Sequence, residues 1–375
     1  MNITKVLEII PLLASLAWSQ QTMSKLDRDR ALDILKTVSS DVRKHYYDPK
    51  FHGVDWDAKV AEAKAKIEKE TSFNMAMSHI AAAFDTLDDT HTVFVPPMHA
   101  YSHDYGFQYQ MIGNRCFVMH VRPGRDAEAK GVKPGDEILT INGFDVTRDD
   151  YWKMQYVFSI LRPLPALQLT LRDPAGAQRQ VEVAAKIRQK KRVTDLTWEN
   201  DLSDIWGLVR EAEAEEHLMR ARWVEYGDQL TVLKLPEFSF LSASEVDGMV
   251  AKARKRPNLI IDLRGNPGGV VDTLKYLVGG MFGKEVKIAD RVGRKERKPE
   301  IAKPLHDVYQ GKLVVLVDSR SASAAEVFAR VVQLEKRGVV MGDQTMGAVM
   351  ESEATQNRWV RTQSPSTGPG SPRRT

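Results

Sequence analysis

Twice in its second half the chain runs a short, mostly apolar segment into a turn of small residues and then into a helical pattern. Residues 259–263 lead into Asp262-Leu263-Arg264-Gly265-Asn266-Pro267-Gly268-Gly269, and residues 313–317 lead into Asp318-Ser319-Arg320-Ser321-Ala322-Ser323-Ala324-Ala325-Glu326. An apolar run without polar alternation belongs to a strand covered on both faces, and that cover requires helical layers. From about Leu230 onward the chain supplies both. Strands are expected over 230–235, 259–263, 313–317 and 339–341, and helices over 243–254, 271–282 and 322–335. The alternation predicts an α/β core.

Other periodicities govern the rest. From Ser24 to about Phe84, the residues Leu32, Leu35, Val38, Val42 and Tyr46 recur at helical spacing, Asp48-Pro49 stops that helix, and Asp55 and Ser72 stand as caps of two more. Between Tyr105 and Ile187 short runs of Val, Ile, Phe and Tyr are separated by Ile112-Gly113-Asn114 and Asp173-Pro174-Ala175-Gly176, which predicts a β-module. Arg188-Gln189-Lys190-Lys191-Arg192 reads as a solvated connector and Asp290 to Lys298 as a surface loop. After Glu353 come no acids and four arginines among Ser, Thr, Gly and Pro, a composition that buries too little to order itself. The expected divisions are 1–23, 24–96, 97–190, 191–353 and 354–375, the last a disordered or aberrant tail left by truncation or a frame shift.

Composition narrows the classes. With 42% apolar and 28% charged residues the chain resembles folded domains, not disordered, collagenous or multi-span membrane chains. A surplus of four positive charges is too small to point to nucleic acid. The single cysteine, Cys116, excludes an intramolecular disulfide and a cysteine-rich metal site. Lys5, the apolar run 9–18 and the small residues around Ala17-Trp18-Ser19 predict a signal peptide over 1–23, and hence a periplasmic or extracellular location. That run is too short to span a bilayer, so no membrane span is expected in the mature chain.

Both turns suit anion binding. Glycines at a strand-to-helix turn let backbone N–H groups face an anion, aided by the helix dipole. The first turn lacks the Gly-Lys-Ser/Thr ending of a phosphate loop, which leaves an oxyanion hole. In the second, a serine at a helix start is either a nucleophile with its developing charge stabilised or a simple cap. Gly131-Val132-Lys133-Pro134-Gly135-Asp136-Glu137-Ile138-Leu139-Thr140-Ile141-Asn142-Gly143 reads physically as a β-hairpin.

That hairpin segment resembles the hallmark of a PDZ domain, and Tyr105-Gly106-Phe107-Gln108 resembles the carboxylate-binding loop of that family. PDZ modules take up a peptide as an added strand and seat its terminal carboxylate on backbone N–H groups. With the two turns, the stretch from Asp29 to Ser352 resembles the C-terminal processing (tail-specific) serine peptidases. The resemblance implies a multidomain α/β protein with an N-terminal helical region, a PDZ β-module and a crotonase-like core. It implies Ser323 as nucleophile and the N–H groups of Gly268 and Ala324 as oxyanion hole, with no metal or other cofactor.

The same resemblance implies a choice of base. One branch of the family places a lysine in a Thr-Phe-Gly-Lys-Gly motif; the matching segment here is Thr345-Met346-Gly347-Ala348, and Ala348 stands in the lysine's place. The branch similar to tricorn protease uses a histidine ahead of the core, and Leu87-Asp88-Asp89-Thr90-His91-Thr92 resembles that motif. Neutral imidazole, with its pKa near 6.5, accepts a hydroxyl proton near neutral pH. His91 is therefore the expected base. That branch also carries a late acid, for which Glu351 and Glu353 are poorly spaced, and Glu326 is read as helix surface. The expected function is a serine endopeptidase acting on unfolded or C-terminally exposed polypeptides. Two alternatives stay open: an inactive PDZ-containing peptide-binding protein, and a crotonase-type acyl-CoA enzyme.

Overall fold

The computed structural model describes residues 23–89, 92–97, 101–189, 220–291, 293–294, 297–352, 360–361 and 363–367. They fall into two compact units, one of residues 1–191 with 352–364 and one of residues 192–351 with 365–375. No helix among the described residues is long and apolar enough to cross a membrane.

The first unit opens with α1 (Lys25–His45), α2 (Trp56–Lys69) and α3 (Phe73–Asp85). Each begins at an oxygen-bearing side chain that accepts an otherwise orphaned backbone N–H. Ser24 accepts from Asp27, Asp55 from Ala58 and Ser72 from Met75. Ala31, Leu35, Val38 and Val42 form the buried stripe of α1, while Arg43, Lys44 and His45 meet the negative end of its dipole. Trp56 stands edge-on to Phe84, ring centroids 5.5 Å apart.

The β-module follows. After β1 (Val93–Phe94) and β2 (Tyr101–Asp104) come β3 (Phe107–Ile112), β4 (Arg115–Val121), α4 (Asp126–Ala129), β5 (Glu137–Ile141), β6 (Phe144–Asp145) and α5 (Tyr151–Tyr156). A π-helical turn, Val157–Leu161, leads to β7 (Ala166–Arg172), β8 (Gln178–Ala184) and β9 (Lys186–Gln189). The strands line up as β3-β4-β5-β7-β8, with β6 paired to β5 and β2 paired to β9. Asn142-Gly143 joins β5 to β6 with φ of 51° and 81°, the pair of positive angles a type I′ turn demands and the reason for that dipeptide.

Helices and β-module share one apolar cluster, running from Leu35 and Phe84 through Phe94 to Met111 and Leu171. The expected division at residue 96 is thus bridged by a single core: Tyr156, in α5, even donates its hydroxyl to the Phe94 carbonyl at 2.5 Å.

The second unit contains β10 (Arg222–Tyr226), β11 (Leu230–Lys234), α6 (Ala243–Ala253), β12 (Asn258–Asp262), α7 (Val271–Met281), β13 (Val286–Arg291), β14 (Glu300–Ala302), β15 (Lys312–Val317), α8 (Ala324–Leu334) and β16 (Val339–Gly342). The sheet order is β10-β11-β12-β15-β16, parallel throughout except for β10. Ile261, Val315 and Phe328 are fully buried, as a sheet under helices requires.

Two expectations are corrected. Asp290 and Arg291, read as loop, end strand β13. The segment after Glu353, read as without order, contributes β18 (Val360–Arg361), paired with β1, and β19 (Gln363–Thr367), whose Ser366 and Thr367 pair with Arg291 and Asp290; β17 (Met350–Ser352) precedes them. The predicted signal peptide lies outside the described residues.

Cys116, in β4, is 1% exposed. Burial, with a further push from the Glu137 carboxylate, raises its thiol to about 12. Since the thiolate is the nucleophile, iodoacetamide at pH 8 is expected to leave Cys116 unmodified in the folded protein and to alkylate it in denaturant. Rapid native labelling, read by mass spectrometry, would contradict this burial.

Candidate active site

The carboxyl ends of β11, β12, β15 and β16 open into loops stitched to one another. Leu263 N–H donates to Leu316 O at 2.8 Å, Gly265 N–H to Asp318 Oδ1 at 2.8 Å, and Ala322 N–H to Asn266 O at 2.9 Å. Met346 N–H donates to Ser321 O at 3.0 Å, and Asn266 Nδ2 to Leu235 O at 2.8 Å. Lys234, at the end of β11, donates to Asp262 at 3.3 Å and to the Arg264 carbonyl. Burial pulls its pKa below the usual lysine value against the opposing pull of Asp262.

Three serines share the second turn, and burial separates them. Ser319 is 4% exposed and Ser321 fully buried, its hydroxyl donating to Leu263 O at 2.8 Å while accepting from Asp318 N–H at 2.9 Å. Ser321 is a tie between turns. Ser323 is partly exposed and immediately precedes α8, so the helix starts two residues later than expected. Its backbone sits at φ 53° and ψ −119°, a conformation L side chains rarely take, which costs on the order of 1–3 kcal/mol and persists only where neighbours impose it. A serine on a strained strand-to-helix turn is a known way to present a hydroxyl at the top of a sheet.

Glu326 is the main enforcer. Expected on the helix surface, it is 6% exposed, and its carboxylate accepts from the N–H groups of Ser323 at 2.9 Å, Gly347 at 2.8 Å and Ala348 at 2.8 Å. Ser323 N–H also points at Ala348 O, 2.8 Å away. The small residues around it allow α8 to pack its first turn inward, which turns an ordinary capping-box acid into a buried one. Sequence reading missed it because Ser-x-x-Glu is also the pattern of an exposed cap.

The glycine turn meets Ser323 from the other side. Gly268 has φ 98°, and a Cβ there would come within 2.6 Å of Ser323 Cβ and 3.0 Å of Ala324 N. Gly268 N–H donates to Asn266 Oδ1 at 2.7 Å, whereas Ala324 N–H has no acceptor among the described residues. Asn266, fully buried, is a second residue that sequence reading passed over.

Ala348 is 4% exposed, so a methyl group occupies the position where a lysine was looked for. His91 lies outside the described residues. In the first unit, Tyr105 donates its hydroxyl to Leu164 O at 2.8 Å, and Gly106 N–H donates to Asp104 Oδ1 at 3.0 Å. Phe107 and Gln108 begin β3, opposite Val121 and His120. No group of three or more His, Cys, Asp or Glu suited to a metal ion occurs among the described residues.

Residues 229–358 match peptidase family S41, and residues 98–149 match the PDZ domain. The chain thus combines a segment similar to S41 peptidases with a segment similar to PDZ domains, and it resembles C-terminal processing proteases that carry both. It is 25% identical over 328 residues to the chloroplastic carboxyl-terminal-processing peptidase 3 of Arabidopsis thaliana, and 24% identical over 321 residues to the tail-specific protease of Haemophilus influenzae. These alignments cover 82% and 78% of this chain but only 59% and 42% of the relatives, so the chain spans less than two thirds of their lengths. Its fold is similar to that of mature CPAF, with a TM-score of 0.64, 16% identity, and 92% and 89% of the two chains covered. The photosystem II D1 C-terminal processing protease gives 0.53, 18%, 90% and 89%.

Two outcomes test this architecture. Glu326→Ala strands the Gly347 and Ala348 N–H groups and removes one of the two acceptors of Ser323 N–H; it is expected to cost about 2–4 kcal/mol of stability, measured by urea denaturation, and an unchanged midpoint would contradict the buried role. Gly268→Ala forces a methyl group onto Ser323 and is expected to lower any hydrolytic rate by about a hundredfold or more. Wild-type turnover in that variant would place the chemistry elsewhere.

Proposed function

We propose that the protein is a serine endopeptidase that hydrolyses peptide bonds in polypeptides captured by its PDZ domain. The observation that carries this reading is Ser323: the partly exposed member of its turn, strained, at a helix start, beside an N–H without an acceptor among the described residues. In this mechanism Ser323 Oγ attacks the scissile carbonyl and His91 takes the hydroxyl proton. The oxyanion is received by Ala324 N–H and by Gly268 N–H, which Asn266 Oδ1 must share or release. His91 then protonates the leaving amine, and water, deprotonated by the same imidazole, hydrolyses the acyl-enzyme.

His91 is preferred because Ala348 stands where the other branch carries its lysine, which supports the histidine-using reading. We further propose export through the N-terminal segment, with unfolded or C-terminally exposed polypeptides as substrates. The assay is β-casein cleavage. Ser323→Ala and His91→Ala are each expected to lower the rate by about a hundredfold or more while leaving the fold intact; equal cleavage by wild type and both variants would reject the assignment. A second reading, a peptide-binding protein without activity, is favoured by Ala348 itself. It would be chosen if wild type binds peptide but cleaves nothing.

A further inference from the structure

Strand addition to a PDZ groove needs two things: an edge strand with backbone groups turned outward, and N–H groups to seat the terminal carboxylate. Strand β3 is the edge of its sheet. Its Tyr109 lies opposite Val118, and Val118 turns its N–H and C=O to Asp136 and Gly135 on the β5 side. Opposed residues of an antiparallel pair face either toward or away from each other together, so Tyr109 turns its own backbone to the outer edge. There its carbonyl accepts a hydrogen bond from the Tyr151 hydroxyl of α5 at 2.9 Å. Tyr151 is 4% exposed, stands edge-on to the Tyr109 ring, and accepts from Gln155 Nε2 at 2.8 Å.

The carboxylate seat is also filled from within. Asp104 accepts from Gly106 N–H at 3.0 Å, Arg122 Nη1 at 3.0 Å and Arg125 Nε at 3.1 Å. One carboxylate held by a loop N–H and two guanidinium groups is the arrangement a peptide terminus would seek. We propose that the groove between β3 and α5 is held shut by its own side chains, Asp104 standing in for a terminal carboxylate and Tyr151 capping the edge strand. A polypeptide C-terminus enters by displacing both. This rests on the reading of the PDZ domain as the polypeptide-capturing module.

The consequence is selectivity. A segment that lacks a free carboxylate gains nothing at Arg122 and Arg125 to offset the loss of Asp104, whereas a C-terminus exchanges one carboxylate for another.

The test uses the full chain carrying Ser323→Ala, to prevent cleavage, and the fluorescence anisotropy of a labelled peptide ending in Ile-Ile-Val, as the free acid and as the amide. Tyr151→Phe keeps the ring and removes the cap, and is expected to tighten both peptides by about three- to tenfold. Asp104→Asn empties the seat of charge and is expected to tighten the acid by about tenfold and the amide far less. Unchanged affinity in both variants, or equal gains for acid and amide in Asp104→Asn, overturns the proposal. Absence of binding by every form, parent included, rejects peptide capture itself and the proposal with it. Asp104 lies at the partly exposed surface, so its variant decides the carboxylate claim even if circular dichroism shows Tyr151→Phe to be unfolded.

Discussion

The Glu326 carboxylate, buried at the first turn of α8, is the interaction on which the rest of the core site depends. A buried carboxylate is tolerated only where donors surround it, and here three backbone N–H groups do so, one from Ser323 and two from the segment after β16. Those bonds tie the helix start to residues 347 and 348 and hold Ser323 in a conformation it would not otherwise keep. Asn266, after β12, and Ser321, after β15, do the same work, each linking two loops while fully buried. The parallel sheet supplies the parallel strand ends; the polar ties convert four separate loops into one rigid rim.

Much of this was legible from the chain. Parallel strands buried on both faces leave unbroken apolar runs, which is why β11, β12, β15 and β16 were found within one or two residues of their bounds. Caps at Ser24, Asp55 and Ser72 follow from chemistry local to each helix start. What could not be read depends on partners distant in sequence. Glu326 and Asn266 carry side chains that serve equally well on a surface, and only the approach of residues 235 and 348 makes them buried ties. The strand at 363–367 is similar: its composition disfavours order, but pairing with β13 supplies the backbone partners that local propensity does not.

The same logic separates the two functional modules. In the core, the candidate nucleophile is prepared by strain and by an N–H left without an acceptor among the described residues. In the β-module, the groups that would meet a peptide are satisfied internally, by Asp104 and Tyr151. Ala348 puts a buried methyl group where one branch of the similar peptidases carries a lysine.

The most direct measurement is to treat the folded protein with a fluorophosphonate that acylates activated serines and to map the adduct by peptide mass spectrometry. A single adduct on Ser323 is expected, with Ser319 and Ser321 unmodified because they are buried. Labelling at another serine, or none on a demonstrably folded chain, would contradict the claim that the strained turn before α8 presents the nucleophile.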